Sequence, residues 1–157
     1  MVAVIAHALA VIRKDIFGGS ADPAAAAAAA LFHDASEILT GDMPTPVKYH
    51  NYEINTAYKQ VEQFAEQKLL TTLPEQMKPA YASLLQTDDD THRLIKAADT
   101  LSAYIKCLEE LRAGNAEFRS AATQTKRKLH AMQMPEVEYF MENFIPSFEL
   151  TLDELDF

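Results

Sequence analysis

Seven consecutive alanines, Ala24–Ala30, directly follow Asp22-Pro23. Alanine is the strongest helix former, because it loses no side-chain entropy and offers the backbone no competing hydrogen bond. Asp22 is suited to accept the first free N–H groups, and Pro23 to occupy the first helical position. The run therefore predicts a helix from Pro23 to about Thr40, with Gly41 as its stop. Its bare face would let a neighbouring helix approach closely. Nothing else in the chain opposes a helical architecture. Only 4 residues are Gly, 48% are apolar, and no β-alternation occurs. The predicted fold class is all-α.

Further helices follow from periodicity and stop signals. Residues 1–14 form one, ended by Phe17-Gly18-Gly19. Met1 has no capping residue before it, so this segment reads like a helix entered in the middle. Met43-Pro44-Thr45-Pro46 is expected as a rigid extended loop, because each proline restricts the residue before it. Residues 52–71 make a helix with Ile54, Tyr58, Val61, Phe64, Ala65 and Leu69 as its apolar stripe. A short helix follows Pro74. Asp88-Asp89-Asp90 suits the positive end of a long helix to about Ala113, stopped by Gly114-Asn115. The last helices cover roughly 116–133 and, from Pro135, to about Phe144. No internal repeat or long linker divides the chain, and 157 residues suit one domain with a single core.

Charge and cysteine content exclude several function classes. The formal net charge is −9, which disfavours a nucleic acid polymer or an anionic membrane as partner. Most of it lies in residues 136–157, as Glu136, Glu138, Glu142, Glu149, Asp153, Glu154 and Asp156. The single Cys107 rules out a disulfide within the chain and fits a reducing cytosol. Met1–Ile12 is apolar but has no preceding basic residue, and as a helix it spans only about 18 Å. A soluble cytoplasmic protein is expected.

The informative residues are polar groups on helix faces that also carry apolar ones. Leu31, Asp34 and Ile38 are spaced three and four apart, which puts Asp34 on an apolar stripe. His33 is its neighbour, about 100° around the helix. Glu37 lies four residues from His33 and three from Asp34. On the long helix the stripe is Leu94, Ile95, Ala98, Leu101, Ile105 and Leu108, and Asp99 borders it. A carboxylate on a core face is costly unless paired or bound to metal. These residues are a plausible divalent-cation site. The alternative is a satisfied core histidine with capped or bridged acids.

Two segments are more specific than any spacing. Leu31-Phe32-His33-Asp34-Ala35-Ser36-Glu37, followed by Thr40-Gly41-Asp42-Met43-Pro44-Thr45-Pro46-Val47-Lys48, resembles the HD-domain 5′-deoxynucleotidases of the YfbR type. Lys96-Ala97-Ala98-Asp99-Thr100-Leu101-Ser102-Ala103-Tyr104, leading into Lys106-Cys107-Leu108-Glu109-Glu110, resembles that family's second acidic segment. Tyr139-Phe140-Met141 and Pro146-Ser147-Phe148 also agree. The resemblance covers essentially the whole chain.

It implies a cytoplasmic, dimeric HD-domain helical bundle formed by residues 1–157. Its implied activity is removal of phosphate from deoxynucleoside 5′-monophosphates with a divalent metal, Co²⁺ or Mn²⁺. His33, Asp34 and Asp99 would be metal ligands, the two acids also touching substrate. Glu37 would be the acid/base residue. Asp42, Met43, Pro44 and Thr45 would line the nucleotide pocket. The family's first ligand, a further His, aligns about two positions before Met1, with a phosphate-gripping basic–aromatic pair further upstream. His7 lies half a turn off that ligand's face, so it is expected as a core or surface residue. The competing functions are another HD hydrolase, acting on a phosphodiester or an alarmone, and a catalytically impaired nucleotide-binding or dimerisation module.

The remaining polar residues have simpler readings. His50, His92 and His130 are expected at the surface or in structural roles, and Asp88–Asp90 as a solvated helix start. Cys107, Met132 and Met134 are expected to pack. Lys48 is either a phosphate contact or a solvated loop lysine. Phe140, Phe144, Phe148 and Leu152 recur every four residues, so the acidic tail is expected as a solvated face or an oligomer contact.

Overall fold

The computed structural model describes residues 1–150 and Glu154, except Tyr49, and only the backbone of Thr45 and Pro46. Leu152, Asp153, Asp156 and the Thr45 side chain therefore lie outside the described residues. Among those residues every regular element is helical: α1 Val2–Val11, α2 Pro23–Ala30, α3 Glu37–Thr40, α4 Thr45–Lys48, α5 Tyr52–Thr71, α6 Lys78–Leu85, α7 Asp89–Arg112, α8 Arg119–Ala131, α9 Pro135–Asn143 and α10 Ile145–Glu149. The chain divides into two compact units, Met1–Ala30 with Asp88–Phe157, and Leu31–Thr87.

The first unit is built around α7. Its buried residues include Leu94, Ile95, Ala98, Leu101 and Ile105 of the stripe read from the sequence, together with Ala97, Tyr104 and Cys107, while Leu108 of that stripe is half-buried against the same core. α1 packs on α2 and α7, and α8 packs on α7. Ile5, Ala6, Leu9 and Ala10 of α1 face Ala26, Ala29 and Ala30 of α2 within one core. The alanine run thus supplies a close-packing surface rather than bulk. Burial raises the Cys107 thiol pKa, which fits a packing role.

The predicted Asp22 cap is present, and the long helix whose acidic start was expected is capped by Asp88. Asp22 Oδ1 accepts from the N–H groups of Ala24 at 2.9 Å and Ala25 at 3.1 Å. Asp88 Oδ1 accepts from Thr91 N at 2.7 Å, and that bond lowers its pKa.

Three features of this unit depart from the sequence expectation. The first helix ends in a π-turn over Ile12–Ile16, with Phe17 N donating to Ile12 O at 3.3 Å. A helix beyond Phe144, α10, begins at Ile145 and holds Pro146 in its first turn. The acidic tail is not wholly solvated: Glu136 is 3% exposed and Phe140 4%. Arg13 pairs with Glu136 through Nε at 2.8 Å and through a second guanidinium contact. A buried carboxylate requires such a partner.

The second unit holds α3 to α6. Here the predicted Pro23–Thr40 helix is interrupted, because Leu31–Ser36 is a succession of turns. Ala35 N donates to Phe32 O at 2.9 Å and Glu37 N to Asp34 O at 3.0 Å, so bonding tightens from i−4 to i−3. His, Asp and Ser are weak helix formers, and Asp and Ser compete for backbone groups, which accounts for the break. Phe32 meets Tyr81 of α6 edge-on at 5.6 Å.

The Met43–Pro46 expectation is corrected as well. Thr45 opens the single helical turn α4, where Val47 N and Lys48 N both donate to Pro44 O. Pro46 falls in the first turn, where a missing N–H is tolerated.

Candidate functional site

The turns of Leu31–Ser36 bring the His-Asp pair together directly. His33 Nε2 and Asp34 Oδ2 are 2.9 Å apart, with side chains 22% and 59% exposed. Asp34 is therefore not on a core stripe. Leu31 and Ile38, its expected companions, are 71% and 76% exposed. Spacings of three and four map to one face only while a helix is unbroken, and this one breaks between Leu31 and Ser36.

Glu37 opens α3, one turn beyond the pair. Partial burial and then the Asp34 and Asp42 carboxylates raise its pKa. Lys48 lowers it in opposition, and Glu62 of α5 raises it further. Four acids and one histidine thus gather within the second unit, partly balanced by Lys48.

Gly41 ends α3 at φ +70°, a conformation that favours glycine, with no atom near a would-be Cβ. The loop that follows carries Asp42, Met43, Pro44 and Thr45. Lys48, left open between phosphate contact and solvated lysine, is neither solvated nor free. Its Nζ donates to Glu62 Oε1 at 2.6 Å and lies 4.8 Å over the Tyr58 ring.

Sequence reasoning missed Glu62. It falls between Tyr58 and Ala65, the two buried residues of α5, at core spacing. An acid in that position is the signal that was available. Val61 and Phe64, expected in the stripe, are instead 48% and 70% exposed.

Asp99 belongs to α7 in the first unit and is exposed between buried Ala98 and Thr100. His7 is exposed on α1. His50 and His92 are exposed, and His130 pairs with Glu138 at 2.8 Å. A cleft of about 690 Å³ opens in the first unit beside Arg13, Asp22 and Asp88–Asp90, and none of the predicted site residues lines it.

The donor chemistry suits a divalent cation in part. Two ligands, each about 2.1 Å from one ion and at right angles, stand about 3 Å apart. The His33–Asp34 separation matches that spacing. Among the described residues, however, no group of three or more His, Cys, Asp and Glu side chains is arranged to hold a metal ion. His33 and Asp34 therefore fit two positions of a coordination sphere.

Comparison with known proteins places this arrangement in context. A family model described as 5′-deoxynucleotidase YfbR-like matches residues 1–148. A 5′-deoxynucleotidase of Shewanella oneidensis is 51% identical, over 99% of this chain and 81% of its own length. 5′-Deoxynucleotidase YfbR of Escherichia coli is 49% identical, over 98% of this chain and 79% of its own length. An HD-domain phosphohydrolase of Listeria innocua superposes with a TM-score of 0.76 at 25% identity, covering 94% of this chain and 72% of that one. The HD-type all-α fold and the whole-chain resemblance to hydrolases agree, and the chain belongs to the YfbR-like 5′-deoxynucleotidase family.

Proposed function

We propose that this chain is a metal-dependent phosphomonoesterase releasing phosphate from deoxyribonucleoside 5′-monophosphates, with residues 1–157 acting as one HD-type domain. One observation of the site carries the reading: Glu37 opens α3 one turn beyond the His33–Asp34 pair, within the same gathering of carboxylates. A carboxyl so placed beside the pair suits general acid/base work.

In this reading His33, Asp34 and Asp99 hold the divalent cation, cobalt or manganese. Asp99 enters this reading only through the resemblance of its segment, Lys96–Tyr104, to the family's second acidic segment. When bound, the cation neutralises phosphate charge and acidifies water. Glu37 accepts a proton from the attacking water or returns one to the departing 5′-oxygen. Asp34 and Asp99 also contact the substrate. Asp42, Met43, Pro44 and Thr45 line the nucleotide pocket, where two prolines stiffen the wall. The protein works in the cytoplasm as a homodimer, with no nucleic acid polymer or membrane as partner. Among the described residues no helix is long and apolar enough to cross a membrane.

The test is phosphate release from a panel of deoxy- and ribonucleoside monophosphates with added Co²⁺ or Mn²⁺. Release from the deoxy substrates and little from the ribo ones is expected. Equal release from both, or turnover only of a phosphodiester or an alarmone, sinks the reading. Sedimentation of the same sample reads the oligomeric state.

A second reading has its own observation. Among the described residues no group of three or more His, Cys, Asp and Glu side chains is arranged to hold a metal ion, and a module that binds nucleotide without turnover needs none. Unmeasurable metal binding with retained nucleotide binding would favour it.

A further inference from the structure

We propose that one face of α5, carrying Asn55, Tyr58 and Glu62, is the positioning element that gives residues 41–48 their selectivity for deoxyribose over ribose. This rests on the reading above, in which Asp42–Thr45 line the nucleotide pocket. Asn55, Tyr58 and Glu62 are spaced three and four apart, so they share one face of the helix.

Each of the three holds an end of the loop. Tyr58 Oη donates to Gly41 O at 3.2 Å, fixing the start. Asn55 Nδ2 donates to Lys48 O at 3.3 Å, fixing the end. Glu62 accepts from Lys48 Nζ at 2.6 Å, and the same ammonium lies over the Tyr58 ring. Tyr58 thus serves both ends, and it is 7% exposed. The Asn51 side chain caps α5 by accepting from Ile54 N at 2.8 Å, which steadies the turn that bears Asn55.

Selecting against a single extra hydroxyl is hard for any pocket, since a wall that yields admits the larger sugar. Two prolines stiffen the middle of the loop, but they do not hold it to the protein. The α5 face does.

The experiment measures kcat and KM for dAMP and AMP in the full chain, with dissociation constants for both, in Tyr58→Phe and Asn55→Ala. Tyr58→Phe removes one oxygen, keeps the ring and changes no charge near Glu37. The expected result is a fall of about fivefold in deoxy preference, the effect of one lost hydrogen bond. It appears mainly in KM for dAMP, with kcat within about twofold. Lys48→Arg is expected to keep the preference, because it keeps the cation for Glu62 and the Tyr58 ring.

A merely structural role lowers the active fraction and leaves the deoxy-to-ribo ratio unchanged. An unchanged ratio in both variants overturns this inference while the function stands. A wild-type chain with no deoxy preference in turnover or binding overturns the proposed function, and this inference with it.

Discussion

Glu37 is where local environment and chemistry meet at the scale of one residue. Its carboxyl is flanked by Asp34, Asp42 and Glu62, so the charged form is opposed both by burial and by like charge. Replacing it with Gln keeps the shape and removes the proton. Glu37→Gln is expected to lower kcat about 10²- to 10⁴-fold with little change in KM, read by phosphate release.

The same shift predicts a pH effect on stability. The folded pKa is raised above the ordinary 4.5, so the folded state binds the proton more tightly than the unfolded one. Glu37's contribution is fully present below pH 4.5 and is lost as pH rises through the raised value. With a chelator present, Glu37→Gln should therefore melt higher than wild type at about pH 7 and level with it at about pH 4. The same Tm difference at both pH values would refute the assignment.

At the scale of the element, caps decide where helices begin. Asp22 satisfies two N–H groups of an eight-residue helix that has no long side chain with which to grip its neighbours. Asp22→Ala is expected to destabilise the protein by about 1 kcal/mol in denaturant melts, and Asp22→Asn by less. Asp88 caps α7 and titrates in the opposite sense to Glu37. Its pKa is lowered, so its contribution is present above the ordinary 3.8 and is lost as pH falls through the folded value.

Such features were legible in the sequence because they are local. The α5 boundaries, the Asp22 cap, the acidic start of α7 and its stripe each follow from residues within a turn or two of one another. The site was legible only in part. His33 and Asp34 were singled out by a stripe argument that fails, because the helix carrying it breaks at those residues. The motif around them needed no stripe. Glu62, Tyr58 and Asn55 act on a loop 7 to 17 residues away, and no local period reports such contacts.

For the molecule as a whole, burial is unequal. In Leu31–Thr87 only Ser36, Tyr58 and Ala65 are buried among the described residues, while the hydrophobic core cluster lies entirely in the first unit. Regions with little buried apolar contact open at lower free energy. Hydrogen exchange should therefore be faster across α5 and α6 than across α1 and α7, and limited proteolysis should cut first within residues 31–87. Equal protection in the two units would contradict this.

In the first unit, Glu136→Ala leaves the guanidinium of Arg13 with its carboxylate removed. It is expected to cost about 3–5 kcal/mol in denaturant melts. The double variant Arg13→Met with Glu136→Leu should recover most of that.

Arg13 and Glu136 lie 123 residues apart in the chain, and the intervening Leu31–Thr87 belongs to the other unit. On the ribosome, at about 5–20 residues per second, roughly 6–25 s separate the two partners. Until α7 has been made, α1 and α2 can pair with each other, but the apolar surface meant for α7 has no cover. The inserted segment is complete before the core that flanks it. A nascent chain of this layout keeps its first-unit core open until α9 has left the exit tunnel.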